Sequence, residues 1–174
     1  MEKGYLAGSL FSEAEVSQRL KEGSILRKET PNIEWFNPIE APCNDKSKLP
    51  TAADIFIGDT NEVINSDYVI ADLSNSDPGV MMELGIAWGL QYAYEVVREI
   101  FTDLDADDLN FLSENGIKKR KIQAVLSDIR IPSSHNYEGV YIPMSFNQFV
   151  IGGIENMDGD IVSSFDKAVE NIKK

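Results

Sequence analysis

The sequence predicts an α/β fold: a three-layer sandwich with a five-stranded parallel sheet covered by helices on both faces. Three observations predict it. Strand-like and helix-like segments alternate five times along the chain, the pattern of successive βα units. The strand segments are short continuous apolar runs, as expected for strands buried on both sides. A length of 174 residues with 43% hydrophobic content suits one domain, residues 1–174, with a sizeable core.

Tyr5-Leu6-Ala7 is the first apolar run, and Gly8 turns the chain out of it. Ser12 and Glu15 form a capping box that opens a helix over 13–29, with Val16 and Leu20 on one face and Pro31 beyond its end. Ile33-Glu34-Trp35-Phe36 reads as the second strand, stopped by Pro38. Residues 40–51 are polar and turn-rich, hence a loop, and a helix follows over 52–65. Residues 67–73, Asp-Tyr-Val-Ile-Ala-Asp-Leu, are the third strand. After the loop 74–77, Pro78 takes the first position of a helix reaching residue 100.

Residues 102–117 interleave Asp103, Asp105, Asp107, Asp108 and Glu114 with Leu104, Leu109, Phe111 and Leu112, a partly helical surface excursion. The strand 122–126 follows, then a loop over 131–140, a helix from Phe146 to about Asn156, a short strand at 160–162 and a closing helix over 164–173. Ligands of such sheets sit beyond the carboxyl ends of the strands. The loops starting at Gly8, Pro38, Leu73, Ser127 and Ser163 are therefore the places for a site.

Charge and composition exclude several functions. Sixteen Lys and Arg against twenty-nine Asp and Glu give a net charge of −13, which disfavours a nucleic acid polymer as partner because phosphate binding needs clustered cations. The one basic run, 118–121, leads into a strand. No run of about 18 apolar residues spans a membrane, no secretory leader opens the sequence, and a single cysteine forms no internal disulfide. The expected setting is the cytoplasm.

Metal and nucleophile signatures are equally sparse. His135, beside Ser133 and Ser134, is the lone histidine and reads as a surface loop residue; Cys43 has no partner for zinc. Asp128 and Arg130 read as an ion pair at a loop entry. Neither GxGxxG nor GxxxxGK[ST] occurs. No metal and no cofactor is expected.

Carboxylates carry what chemistry remains. Glu83 lies three residues after Val80 and four before Ala87, on the apolar stripe that also holds Leu90, about one and a half turns into its helix. Burial there raises its pKa and the helix N-terminus lowers it. Asp59, four residues from both Ile55 and Val63, repeats the pattern, and Asp77 marks a loop-to-helix junction. Each has a plain alternative: Asp77 as an ordinary N-cap, Asp59 and Glu83 as acids on other helix faces. If the three converge, paired carboxylates suit glycosyl transfer, one bonding to an oxocarbenium-like carbon while another moves a proton.

These motifs resemble the nucleoside 2-deoxyribosyltransferase family. The opening Tyr5-Leu-Ala-Gly-Ser-Leu-Phe-Ser-Glu-Ala-Glu15 is similar to that family's first strand and turn. Asp59, Asp67-Tyr-Val-Ile-Ala, Asp77 and Met82-Glu83-Leu84-Gly85 resemble its central signature in order and spacing, and Ser145-Phe-Asn-Gln-Phe-Val150 its late segment. The resemblance implies a flavodoxin-like fold that transfers 2-deoxyribosyl groups between nucleobases through a covalent intermediate. It makes Glu83 the nucleophile, Tyr5 the residue that holds it, and Asp59 the proton carrier for the base. Substrate contacts would be Gly8, Phe11, Asp77, Asn147 and Phe149, with Asn147 reaching into a neighbouring subunit's site. The partners implied are a 2′-deoxynucleoside, a free nucleobase and further copies of the chain in a homo-oligomer.

The sequence departs from the family pattern at Ser9, where proline is common, and at Phe149, where methionine is. It carries Glu40, Ala41 and Pro42 where Asp, Asn and an amide are frequent, and residues 93–121 read as an insertion. Two other functions fit the same fold. A hydrolase of deoxynucleoside 5′-monophosphates would need cations for the phosphate, and the first loop offers Ser9 and Ser12 but no arginine. A nucleotide sensor would need no turnover at all.

Overall fold

The computed structural model describes residues 1–128, 136–137, 140–141 and 146–174. His135, Ser133, Ser134, Arg130, Ser145 and the side chain of Cys43 lie outside the described part. Strands β1 (Glu2–Ala7), β2 (Ile33–Phe36), β3 (Tyr68–Asp72), β4 (Lys121–Val125) and β7 (Asp160–Val162) form one sheet in the order β2-β1-β3-β4-β7. Every pairing in it is parallel. This is the doubly wound order in which the chain starts at β1, winds one way to β2, then crosses to β3 and onward.

Side-chain alternation divides the core. Tyr5, Ala7, Val69, Ala71, Leu73, Ile122 and Ala124 face the layer of α2 (Ala52–Asn65), α3 (Pro78–Ile100) and α5 (Gln148–Asn156), meeting Val63, Val80, Leu84, Ala87, Ile151 and Ile154. Leu6, Ile33, Trp35, Ile70 and Val125 face α1 (Glu13–Glu29) and α6 (Phe165–Ile172), meeting Leu26, Ala168, Val169 and Ile172. Each fully buried Leu or Ile contributes about 1.5–3 kcal/mol relative to exposure. The two layers thus fix which strand residues can reach each helix.

Helices begin where their caps dictate. Ser12 and Glu15 make the reciprocal bonds of a capping box at α1, and Thr51 and Asp54 do so at α2. Asp77 caps α3, with Pro78 in its first turn. The acidic excursion holds α4 (Ala106–Glu114), which buries none of its residues. Gly116, at φ 75, ends that excursion where a Cβ would collide with Ile64.

The structure differs from the sequence reading in several places. Leu20 is 43% exposed, and the buried stripe of α1 is Arg19, Glu22, Gly23 and Leu26. An ion pair replaces apolar residues there, so the hydrophobic pattern points to the wrong face. Within 131–140, read as a loop, Asn136–Tyr137 (β5) pairs antiparallel with Val140–Tyr141 (β6). Tyr and Val favour strand pairing locally. The helix expected from Phe146 starts at Gln148, because Asn147 caps it. Among the described residues, no helix is long and apolar enough to cross a membrane.

Candidate active site

In this strand order the chain reverses direction between β1 and β3, and a crevice opens there beyond their carboxyl ends. Tyr5 points from β1 into the α3 side. It is fully buried and stacks on Phe36 with ring centroids 5.6 Å apart. Its hydroxyl donates to Glu83 Oε1 at 2.6 Å, bridging 78 residues of sequence.

Glu83 comes from the second turn of α3, on the stripe between Val80 and Ala87. Its Oε2 is shielded from solvent and finds no hydrogen-bond partner among the described residues. Burial pushes the carboxyl up to about 7; the Tyr5 hydrogen bond opposes this, and the charges of Asp59 and Asp77 reinforce it. The two other acids singled out from the sequence therefore act electrostatically on Glu83. A carboxylate in this state is poorly solvated and reactive when ionised.

Asp77 performs the plain role and sits at the site as well. Its Oδ1 accepts from the backbone N–H groups of Gly79 at 2.8 Å and Val80 at 3.1 Å. Asp59, half-buried on α2, receives the amide of Asn44 at 3.3 Å. Asn44 belongs to a short 3-10 turn, Pro42–Asn44, in the segment read only as a polar loop. Nothing periodic in the sequence distinguishes it; its amide type, a few residues before a helix, is the sole signal.

The remaining candidates occupy the rim. Gly8 ends β1, and a Cβ there would collide with the Arg19 guanidinium. Phe11, on the β1–α1 turn, is 81% exposed. Asn147 caps α5 by accepting from Phe149 N–H at 2.9 Å, and Phe149 is 89% exposed. Among the described residues, no hydrogen bond joins Phe11 or Asn147 to Glu83. Phe149 instead borders an apolar groove of about 640 Å³ between α3 and α5, lined by Met81, Gly85, Trp88, Tyr92 and Gly153. Among the described residues, no group of three or more His, Cys, Asp or Glu could hold a metal ion.

Sequence reasoning missed a second network. Arg19 is buried and donates to Asp72 at 2.7 Å, with Glu22 at 3.0 Å. Desolvation raises the Glu22 pKa and the Arg19 charge lowers it. Three charged side chains on one helix turn and a strand end would have been legible only from their mutual spacing in the fold.

Residues 5–140 match the family profile of nucleoside 2-deoxyribosyltransferases. A protein of Ureaplasma parvum serovar 3, named Uncharacterized protein UU063, is 39% identical over 108 residues, 57% of this chain and 67% of that one. A crystal structure of a conserved protein from Enterococcus faecalis V583 superposes with a TM-score of 0.69 at 26% identity, covering 99% of this chain and 98% of that one. A 2-desoxiribosyltransferase from Leishmania mexicana gives a TM-score of 0.60 at 17% identity over 99% and 97% of the two chains. A 2-deoxyribosyltransferase from Bacillus psychrosaccharolyticus gives 0.56 at 14% over 96% and 90%. The last two are likenesses of fold.

Proposed function

The chain belongs to the nucleoside 2-deoxyribosyltransferase family, and from that premise we propose that it moves a 2-deoxyribosyl group from one nucleobase to another. The observation that carries the reading is the Tyr5–Glu83 pair: a shielded carboxylate held by one phenol at a sheet switch point. In the first step a Glu83 oxygen bonds to C1′ of a 2′-deoxynucleoside. The C1′–N bond breaks and its electron pair stays on the base nitrogen, which takes a proton from Asp59. In the second step a nitrogen of another base bonds to C1′, the ester oxygen returns to Glu83 as carboxylate, and the incoming base gives its proton to Asp59.

Tyr5 keeps one Glu83 oxygen fixed so that the other faces the sugar. Asn44 orients Asp59. Asp77 has one oxygen committed to the helix and offers the other to the sugar. Gly8 keeps the turn close to Arg19. The exposed Phe11 closes over the base, and Asn147 and Phe149, exposed at the start of α5, suit contacts to a neighbouring copy's sugar. Exclusion of water from the ester separates transfer from hydrolysis.

The experiment is incubation with deoxyinosine and free adenine, both bases followed by chromatography. Deoxyadenosine formed in step with hypoxanthine supports transfer. Hypoxanthine without deoxyadenosine makes the protein an N-glycosidase, and no reaction of any deoxynucleoside makes it a binding module.

A further inference from the structure

Two residues of α1, one turn apart, reach across the switch point to the turn after β3. Glu15 Oε1 accepts from Ser9 Oγ at 2.6 Å and from Asn75 Nδ2 at 2.7 Å. Its Oε2 accepts from the backbone N–H groups of Ser12 at 2.6 Å and Phe11 at 3.2 Å. Arg19 grips the same turn lower down through Asp72 Oδ2, while Asp72 Oδ1 accepts from Ser74 N–H at 3.0 Å.

We infer that Glu15 is a positioning residue for the site: one carboxylate ties the β1–α1 turn, which carries Phe11, to the β3–α3 turn, which delivers Asp77 and the start of α3. Four donors from two loops converge on it, and only a carboxylate has acceptor capacity on both oxygens. Glutamine would turn an amide toward two N–H groups, and aspartate is a methylene too short to span the turns. Hydrogen bonds from Ser9 and Ser12 hold the Glu15 pKa down to about 2, so the clasp is charged at neutral pH. The braced turn needs restraint of its own, since Ser76 sits at φ 51 in the left-handed region that non-glycine residues seldom occupy. A capping box alone would engage only Ser12; the bonds to Ser9 and Asn75 exceed what the helix end requires.

The inference rests on the deoxyribosyl-transfer reading in taking Phe11 and Asp77 as substrate contacts, and its test separates the two. Glu15→Gln, Asn75→Ala and the double variant are compared with the parent chain in donor kinetics and in amide hydrogen exchange. Neither residue touches Tyr5 or Glu83, so KM for the deoxynucleoside is expected to rise roughly tenfold with kcat changed less than about threefold. Glu15→Gln breaks the clasp at the β1–α1 turn and Asn75→Ala at the β3–α3 turn; since either break unties the two loops, the double variant should be no worse than the poorer single variant. Amides of residues 74–80 should exchange about tenfold faster in both single variants, with those of residues 20–29 unchanged. Unchanged exchange at 74–80, or single effects on KM that multiply in the double variant, overturns the inference. Should Glu15→Gln fail to fold, Asn75→Ala, at an exposed position, carries both readouts. Should the parent chain turn over no deoxynucleoside, the transfer reading falls and exchange alone decides the clasp.

Discussion

In the proposed mechanism Glu83 reacts only when ionised, yet the fold favours its protonated form. Its pKa of about 7 implies that kcat/KM rises with pH through that value. A pH profile from 5 to 9 checks this. Tyr5→Phe removes the one hydrogen bond that lowers the pKa, so the rising limb should move to higher pH. The loss of activity, about tenfold at pH 6.5, should shrink at pH 8.5. Asp59→Asn should cost on the order of 10²–10⁴ in the rate of transfer from bases that must be protonated to leave. At this scale the sequence was informative where an acid interrupted an apolar stripe, as Glu83 does. It was silent on Asn44, whose role depends on a loop fold that no periodicity encodes. Asp77 takes its plain reading in the structure, the N-cap of α3, through one carboxylate oxygen.

Elements with chemical end signals were legible to the residue. The starts of α1 and α3 follow from Ser12 and Glu15 and from Asp77 and Pro78, whereas the Thr51–Asp54 capping box that starts α2 lay at the end of a segment read only as a loop. The inward face of α1 was not legible, because Arg19 and Glu22 occupy positions where pattern reasoning looks for apolar side chains. That burial has an energetic consequence. Arg19→Ala leaves Glu22 and the half-buried Asp72 without their cation, and breaking such a pair costs about 3–5 kcal/mol. Ser12→Ala, which removes only a cap, should cost about 1 kcal/mol. Urea unfolding of the two variants side by side tests the contrast; similar losses would mean that the Arg19 network is incidental. The β5–β6 hairpin escaped notice for a different reason: its two-residue strands are too short to show alternation.

For the whole molecule, alternation of buried strands and capped helices was enough to predict a parallel sheet, and the order β2-β1-β3-β4-β7 then places the crevice beside Tyr5. A site built this way carries a pH-dependent cost to stability. Glu83 titrates near 4.5 when unfolded and near 7 in the fold, so the folded chain holds a proton that the unfolded chain has lost between those values. The stabilisation is complete below about pH 4.5 and declines as pH rises, until above 7 the ionised group costs on the order of 3 kcal/mol. Glu83→Gln abolishes this titration. The Tm of the variant minus that of the parent should therefore increase by several degrees from pH 4.5 to pH 8. A constant difference would mean that the carboxylate is solvated.

The proposed bond between Glu83 and the sugar is open to direct observation. A 2-fluoro-2-deoxyribosyl nucleoside, whose electron-withdrawing substituent slows breakdown of the ester, is incubated with the protein, and the digested chain is analysed by mass spectrometry. One sugar mass on the peptide containing Glu83, absent from Glu83→Gln and discharged by added nucleobase, is the result this mechanism predicts. Release of base from that nucleoside with the sugar bonded to another residue, or to none while turnover proceeds, would contradict it.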